Sequence, residues 1–440
     1  MPPALLSALV AAAALQADPI PRILERVDPA RPMEDVETLV SFHTRHTLSE
    51  TESDERGIGA ARRWLKAELQ AISDATGGRM EVREQRFVAS VMRRQAELVN
   101  VYGFLPGTEE GPTGRTYVVS GHYDSRVRKG LDAESFAPGA NDDGSGTAVV
   151  LELARAMAGE SYPANLVFLL VPGEEQGLFG AKHFAKVAEE AGWDIDGMFT
   201  NDIVGGVEGG NGVRDTTTVR CYSQAEGMHS TSRELARALA ASAERYVADA
   251  RVQLVFRPDR FGRGGDHQAF HAKGFPALRL TEANEHYARQ HEDVREEEGV
   301  QYGDLPEFVS ADYMALVTRV NAAALAELAL APPPPSRVRM RAAVSYDTQL
   351  GWSPSAGSAE AADSEGGASY EIVWRDTTAA TWTDAIEVEG RVRMQRTRSG
   401  ESRPVVQGTV AGVTADTNFF GVRAVSATGH RSRVVLPARP

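Results

Sequence analysis

The sequence predicts an α/β fold, a mostly parallel twisted sheet with helices on both faces, followed by a small C-terminal all-β sandwich. Three observations carry this expectation. Strand-like and helix-like patterns alternate along the first three quarters of the 440 residues, as they do where crossover helices cover a parallel sheet. One run, Asn165–Val171 (NLVFLLV), is almost continuously apolar, which marks a strand buried on both faces. After Pro332–Pro335 the alternation gives way to short strands separated by polar turns.

Residues 1–17 read as a signal peptide. Ala4–Ala14 has the length of an apolar h-region and Ala17 suits cleavage, although no Lys or Arg precedes the run. The run is too short to span a bilayer, and no later stretch is expected to span one. The expected location is therefore secreted or periplasmic.

Apolar residues at helical spacing follow over Met33–Arg45 and Gly57–Ala71, where Ala61, Trp64, Leu65 and Leu69 share a face. Strand patterns cover Met80–Phe87, Ala96–Phe104 and Thr116–Ser120. A helix at Gly146–Ala158 is entered through Gly144 and Ser145. Beyond Asn165–Val171 the patterns predict helices at Gly180–Ala191, Ser230–Val247 and Ser310–Leu330. Between them lie strands at Met198–Val204, Thr216–Tyr222, Val252–Phe256 and Ala277–Leu280. Residues 18–331 form the expected large domain, and the prolines of 332–336 a stiff linker. Residues 337–440 carry strand patterns at Val338–Val344, Gln349–Trp352, Ser369–Trp374, Thr381–Val388 and Phe419–Val425. Trp352, Tyr370, Trp374 and Trp382 are their expected aromatic core. This part resembles a fibronectin type III sandwich.

The net charge is −14, which argues against a nucleic-acid partner. Acidic and basic residues nearly balance after Arg337, so the acidity belongs to the large domain. Cys221 is the one cysteine, so no intramolecular disulfide forms. Its strand-like surroundings suit a small buried apolar residue better than a nucleophile.

Chemistry-bearing residues gather at predicted strand ends, where α/β proteins place their sites. Gly121-His122-Tyr123-Asp124-Ser125 follows the TYVVS strand; on an extended segment His122 and Asp124 share a side. Asp124 is then placed to hold the imidazole while its other nitrogen binds a metal. Gly139-Ala140-Asn141-Asp142-Asp143-Gly144 sets two acids side by side before a helix. A helix cap explains one; a dication compensates both. Glu174-Glu175 ends the NLVFLLV strand, and Asn201-Asp202 ends another. His286 and His291 lie in a later polar loop with Tyr287 and Asp293. Oxygen and imidazole donors without thiolates suit zinc in an open catalytic site. Two zinc ions about 3.5–4 Å apart share a carboxylate and a water that ionises near neutral pH.

In this order the motifs resemble the zinc aminopeptidases of the M28 type, of the secreted bacterial kind, over roughly Glu34–Leu330. The resemblance rests on NVYGFLPG (Asn100–Gly107), GHYDS, GANDDGSG, PGEEQGLFGAKHF, Asn201-Asp202, GGDHQAF (Gly264–Phe270) and GFPALRLTE (Gly274–Glu282). It implies two Zn2+ per chain with His122, Asp142, Glu175, Asp202 and His291 as ligands, Asp142 bridging. It implies Asp124 behind His122, Glu174 as general base and acid, and a bridging hydroxide as nucleophile. The peptide bond between Asp142 and Asp143 is often cis in the family. His286 is the substitute for His291. Tyr287 is a candidate for holding the oxyanion, and Asp266-His267 for anchoring a loop near the pocket. The implied activity is removal of N-terminal residues from peptides.

Three rivals stand beside it. A carboxypeptidase or dipeptidase needs an arginine for the C-terminal carboxylate, with Arg263 and Arg279 as candidates. A glutaminyl-cyclase-like transferase uses one zinc. A non-catalytic binding or receptor homologue would have lost its ligands. The sandwich is expected either to contact a cell surface, polymer or protein, or simply to stabilise the chain. Its removal is expected to spare turnover of small substrates.

Overall fold

The computed structural model describes residues 18–109, 111, 114–224, 230–341, 344–356, 369–396 and 401–438. The expected signal peptide lies outside the described residues. Helices α1 (Ile20–Glu25), α2 (Ala30–Ser41) and α3 (Gly57–Ala75) come first. Strands β1 (Glu81–Val91), β2 (Arg94–Leu105) and β3 (Thr116–His122) follow. Then come α4 (Gly146–Met157), β4 (Asn165–Val171), α5 (Phe179–Glu190), β5 (Ile195–Asn201) and β6 (Thr218–Ser223). They are succeeded by α6 (Thr231–Tyr246), β7 (Arg251–Val255), α7 (His267–His271) and β8 (Ala277–Glu282). A small ribbon, β9 (Arg295–Glu297) with β10 (Val300–Tyr302), precedes α8 (Ala311–Leu330).

One eight-stranded sheet runs in the order β1-β2-β4-β3-β5-β8-β6-β7. Its centre is parallel, β4 with β3, β3 with β5 and β5 with β8. The flanks turn antiparallel where β2 meets β4 and β6 meets β8. Every residue of β3, β4, β5 and β8 is buried, and β4, NLVFLLV, reads as an apolar run rather than an alternation. Parallel strands share one direction, so the ends of β3, β4, β5 and β8 gather at one edge. That edge carries His122, Glu174-Glu175, Asp202 and Glu282.

Helix α8 is long and apolar enough to cross a membrane by length and composition alone. However, 89% of its apolar window is buried inside the protein. It is apolar nearly all round because it is a core helix. The strand expected over Met198–Val204 stops at Asn201; Asp202 turns into the site and Ile203 takes a positive φ of 61°, which ends pairing. The short α7 and the β9–β10 ribbon lack apolar periodicity and were not foreseeable from it.

The C-terminal strands are β11 (Ser336–Arg341), β12 (Thr348–Ser353), β13 (Ser369–Asp376), β14 (Asp384–Val388), β15 (Arg393–Arg396), β16 (Ser402–Val410) and β17 (Asn418–Val425). They form two sheets, β11-β12-β16-β15 and β14-β13-β17. Leu350, Trp352 and Val406 from one face Tyr370, Ile372 and Phe420 from the other across a common core. Trp352 and Tyr370 pack edge to face at 5.5 Å. Trp382 does not join that core as expected: its indole donates to Glu234 Oε2 at 2.9 Å, on α6 of the large sheet's helix layer. Arg433 likewise reaches Asp196 at 2.7 Å.

Candidate metal centre

The C-terminal edge of the central strands builds the site. His122 is the last residue of β3, beside Val171 of β4. A Cβ on Gly121 would lie 2.6 Å from the Gly146 carbonyl carbon, so only glycine lets β3 close onto the start of α4. The imidazole Nδ1 lies 3.2 Å from the Asp124 carbonyl oxygen and 3.5 Å from Asp124 Oδ1. Its Nε2 faces Asp142 Oδ1 at 3.2 Å and Asp202 Oδ2 at 3.9 Å.

Asp142 and Asp143 stand at the entrance to α4, joined by a cis peptide bond, and their side chains part. Asp143 turns inward, accepting from the backbone N–H of His122 (2.9 Å) and of Gly146 (2.9 Å). Asp142 faces the site with one oxygen toward each side, Oδ1 toward His122 and Oδ2 toward His291 Nε2 at 2.9 Å. His291 Nε2 is also 2.9 Å from Glu175 Oε1. The side chains thus form two donor groups, His122 with Glu174 and Asp202, and Asp142 with Glu175 and His291. All five expected ligands and Glu174 are brought together. His286 is not; it lines a recess beside Asp142 with Arg289 and Phe308. Tyr287 is 74% exposed and belongs to neither group.

Asp124 does two tasks that a motif shows only in part. Fully buried, it stands behind His122 and accepts from the backbone N–H of Glu174 (3.1 Å) and of Glu175 (3.2 Å). One carboxylate therefore sets the positions of both neighbouring acids. Asp266 is buried with neither carboxylate oxygen hydrogen-bonded. Burial, with Asp202 and Asp124 nearby, pushes its carboxyl up to about 7 against the pull of His122 and Arg279. His267 meets the Pro258 carbonyl oxygen at 2.7 Å, which fits the expected loop anchor.

Three supports were invisible in the sequence. Arg45 is wholly buried and donates to the carbonyls of Tyr123 (2.8 Å), Pro138 (2.7 Å) and Gly139 (2.8 Å), clamping the His122 and Asp142 loops together. Burial lowers its guanidinium to about 10 while four aspartates pull the other way. Asp304 accepts from the N–H of Asn141 (2.9 Å) and of Asp142 (2.7 Å). Thr47 donates to Asp124 Oδ2 at 3.3 Å. None sits in a patterned motif; each is a lone polar residue that only the fold brings near. Arg279, foreseen as a possible carboxylate grip, is fully buried and bound to Asp202, Asp259 and the Gly264 carbonyl. Arg263 pairs with Glu285 at 2.6 Å.

Residues 100–304 match the model of peptidase family M28. A probable zinc metalloprotease of Leptosphaeria maculans is 40% identical over 91% of this chain and 92% of its own length. The chain belongs to peptidase family M28. A probable zinc metalloprotease of Pyricularia oryzae is likewise 40% identical, over 94% of this chain and 83% of its own. Among solved structures, the LapA aminopeptidase of Legionella pneumophila aligns with a TM-score of 0.54 at 19% identity, covering 71% of this chain and 73% of that one. The aminopeptidase of Aneurinibacillus sp. strain AM-1 has a TM-score of 0.51 at 16% identity, over 70% and 95%. At these identities the likeness is one of fold.

The side chains of this M28 zinc metalloprotease fit zinc. Glu175 Oε1 is buried and accepts no hydrogen bond, although His291 Nε2 stands 2.9 Å away. Close approach without hydrogen-bond geometry resembles two donors aimed at one cation, which tetrahedral zinc holds about 3.3 Å apart. Burial together with Asp202 and Glu175 drives the Glu174 carboxyl well above its usual range, although His122 opposes this. Burial and Asp142 likewise raise Glu175. A cation relieves such crowding of acids.

Proposed function

We propose that this zinc metalloprotease is an exported aminopeptidase that binds two zinc ions through His122, Asp142, Glu175, Asp202 and His291. Glu174 serves as its general base and acid. The observation that carries the proposal is the division of labour between Glu174 and Glu175. Held on adjacent amides by Asp124, they belong to different donor groups, Glu174 beside His122 and Asp202, Glu175 beside Asp142 and His291. One carboxylate is thereby free to handle a proton while its neighbour serves as a ligand.

Zinc held by these residues would supply polarisation of the scissile carbonyl and a water acidic enough to attack near neutral pH. Glu174 takes the proton of the attacking water and returns it to the departing amine. A carboxyl raised by burial is suited to holding that proton between the two steps. Asp142, with an oxygen toward each group, keeps them at a set separation. Asp124 and Arg45 hold the His122 loop, so the donors do not have to reorganise on binding.

Preference for a free N-terminus is supported by the charge around the site. Arg45, Arg263 and Arg279 are committed to internal partners, so the surrounding carboxylates can attract a substrate ammonium. The LapA and Aneurinibacillus proteins, which share the fold, are aminopeptidases, in agreement with this. One observation favours carboxypeptidase or dipeptidase action. Arg289 stacks over Phe308 at 3.8 Å in the recess beside Asp142 and forms no ion pair among the described residues.

The deciding experiment measures zinc content and hydrolysis of aminoacyl-anilides, N-acetylated peptides and C-terminally amidated peptides, before and after chelation. Zinc-dependent cleavage of the anilides and amidated peptides, with N-acetylated ones untouched, supports the proposal. Cleavage requiring a free C-terminus, and lost in Arg289→Met, replaces it with the carboxypeptidase reading. Export is tested by sequencing the mature N-terminus, with cleavage expected after Ala17.

A further inference from the structure

The outer face of the sheet β11-β12-β16-β15 carries a concentration of positive charge that the large domain's chemistry does not use. Strand pairing sets Arg339 opposite Gly351, Arg341 opposite Gln349, and Gly351 opposite Gln407. It also sets Arg403 opposite Gln395 and Arg393 opposite Val405. Directly paired residues share a face, so these side chains stand together away from the core. Arg337 joins them in lining a shallow trough with Arg339, Arg341, Arg403, Gln349 and Gln407. No Asp or Glu occupies an outward position on these four strands. In a chain of net charge −14 this segregation needs an explanation.

The arginines are also unspent. The C-terminal part has other ion pairs, Arg391 with Glu389, Arg423 and Arg431 with Glu371, and Arg433 with Asp196. Among the described residues Arg337, Arg339, Arg341, Arg393 and Arg403 form none. Arg403 Nε is buried in the trough wall without a hydrogen-bond partner. Arg339, Arg341, Arg393 and Arg403 each stand opposite a neutral residue, so their charge is uncompensated within the sheet and is open to an anion from outside. Gly351 keeps the floor low: a Cβ there would meet Gln407 Cγ at 3.7 Å.

We propose that this face binds an acidic polysaccharide and holds the peptidase on a carbohydrate surface. Guanidinium groups pair with carboxylates in fixed planar geometry. Gln349, Gln395 and Gln407, set between them, offer amides that both donate to and accept from sugar hydroxyls. The face has no aromatic platform for stacking bases, which single-stranded nucleic acids require. It exposes no large apolar side chain to enter a bilayer, since its one such residue, Val405, is buried.

The test uses the full chain and polygalacturonate, with dextran, duplex DNA and phosphatidylserine vesicles as competitors, at about 50 and 150 mM salt. Polygalacturonate is expected to bind, more weakly at the higher salt, with dextran inert and DNA and vesicles at least tenfold weaker. The combined variant Arg339→Gln, Arg341→Gln and Arg403→Gln is expected to lose at least tenfold in affinity while hydrolysing a small substrate normally. The pair Gln349→Ala and Gln407→Ala is expected to weaken binding several-fold with the salt dependence unchanged, and it covers the case where the triple variant misfolds. Arg391→Gln, outside the face, is expected to bind as wild type. No binding of polygalacturonate at the lower salt, or equal binding of DNA or vesicles, overturns the proposal. So does wild-type affinity in both the triple arginine and the glutamine variants.

Discussion

Arg279 Nη2 lies 2.7 Å from Asp202 Oδ1, and both residues are buried. The arginine ties up one oxygen of that carboxylate and leaves Oδ2 facing His122. Its other nitrogen reaches Asp259 Oδ2 at 3.3 Å and the Gly264 carbonyl at 2.5 Å, so the guanidinium cannot swing away. One oxygen of Asp202 is thereby engaged by the guanidinium and the other is left toward the site. Arg279→Met strands Asp202 and Asp259 together as buried acids, at a cost of about 3–5 kcal/mol. It is expected to alter zinc affinity at one of two sites, measured by chelator competition, and to lower kcat. Arg279→Lys restores the charge but not the fork, and should recover stability more than zinc affinity.

Glu174→Gln keeps the shape of the side chain and removes its basicity. Turnover should fall about 10²–10⁴-fold while metal content by mass spectrometry stays at the wild-type level. Near-normal kcat in a zinc-replete variant would falsify the role given to Glu174.

His291 and His286 separate cleanly by position. His291 Nε2 touches both Asp142 and Glu175, whereas His286 lies in the neighbouring recess. His291→Ala should release one zinc equivalent and abolish peptidase activity. His286→Ala should keep both, with at most a change in KM. The reverse pattern would exchange their roles.

Acid sensitivity has an identifiable contributor. Burial disfavours charge on Glu285, yet Arg260, Arg263 and Arg220 hold its carboxyl down at about 2, from an ordinary value of 4.5. A depressed folded value means that the stabilisation is complete above about 4.5 and is lost as pH falls toward 2. The difference corresponds to on the order of 3 kcal/mol. Unfolding free energy measured by denaturant titration should therefore decline less steeply over that window in Glu285→Gln than in wild type, from a lower starting value at pH 7.

The sandwich is docked, not merely tethered. Trp382 donates to the buried Glu234, and Arg237 of the same helix donates to the Ala380 carbonyl at 2.7 Å. Trp382→Phe leaves a Glu234 oxygen short of a donor, costing about 1–3 kcal/mol and lowering Tm by several degrees in a calorimetric scan. Truncation before Ser336 should lower Tm further, with hydrolysis of small substrates surviving only below the new transition.

Local pattern determined a great deal. The apolar run Asn165–Val171 is a strand with the same ends in the fold, because a segment buried on both faces has no polar positions to blur its limits. Paired acids marked Asp142 before α4 and Glu175 after β4, because an α/β sheet delivers the ends of its parallel strands and the loops leaving them to one edge. The ordered motifs extended that to His122, Glu174 and Asp202. What the tertiary structure decided was everything that depends on distance between remote segments. It brought His291 rather than His286 to Asp142. It set Arg45 under two loops, turned Arg279 from a substrate grip into a partner of Asp202, and sent Trp382 to Glu234 instead of the sandwich core. The physical reason is common to all four. A helix or strand announces itself through neighbours three, four or two residues away, whereas a buried polar contact is chosen by desolvation and geometry among groups that the chain separates by tens to hundreds of residues.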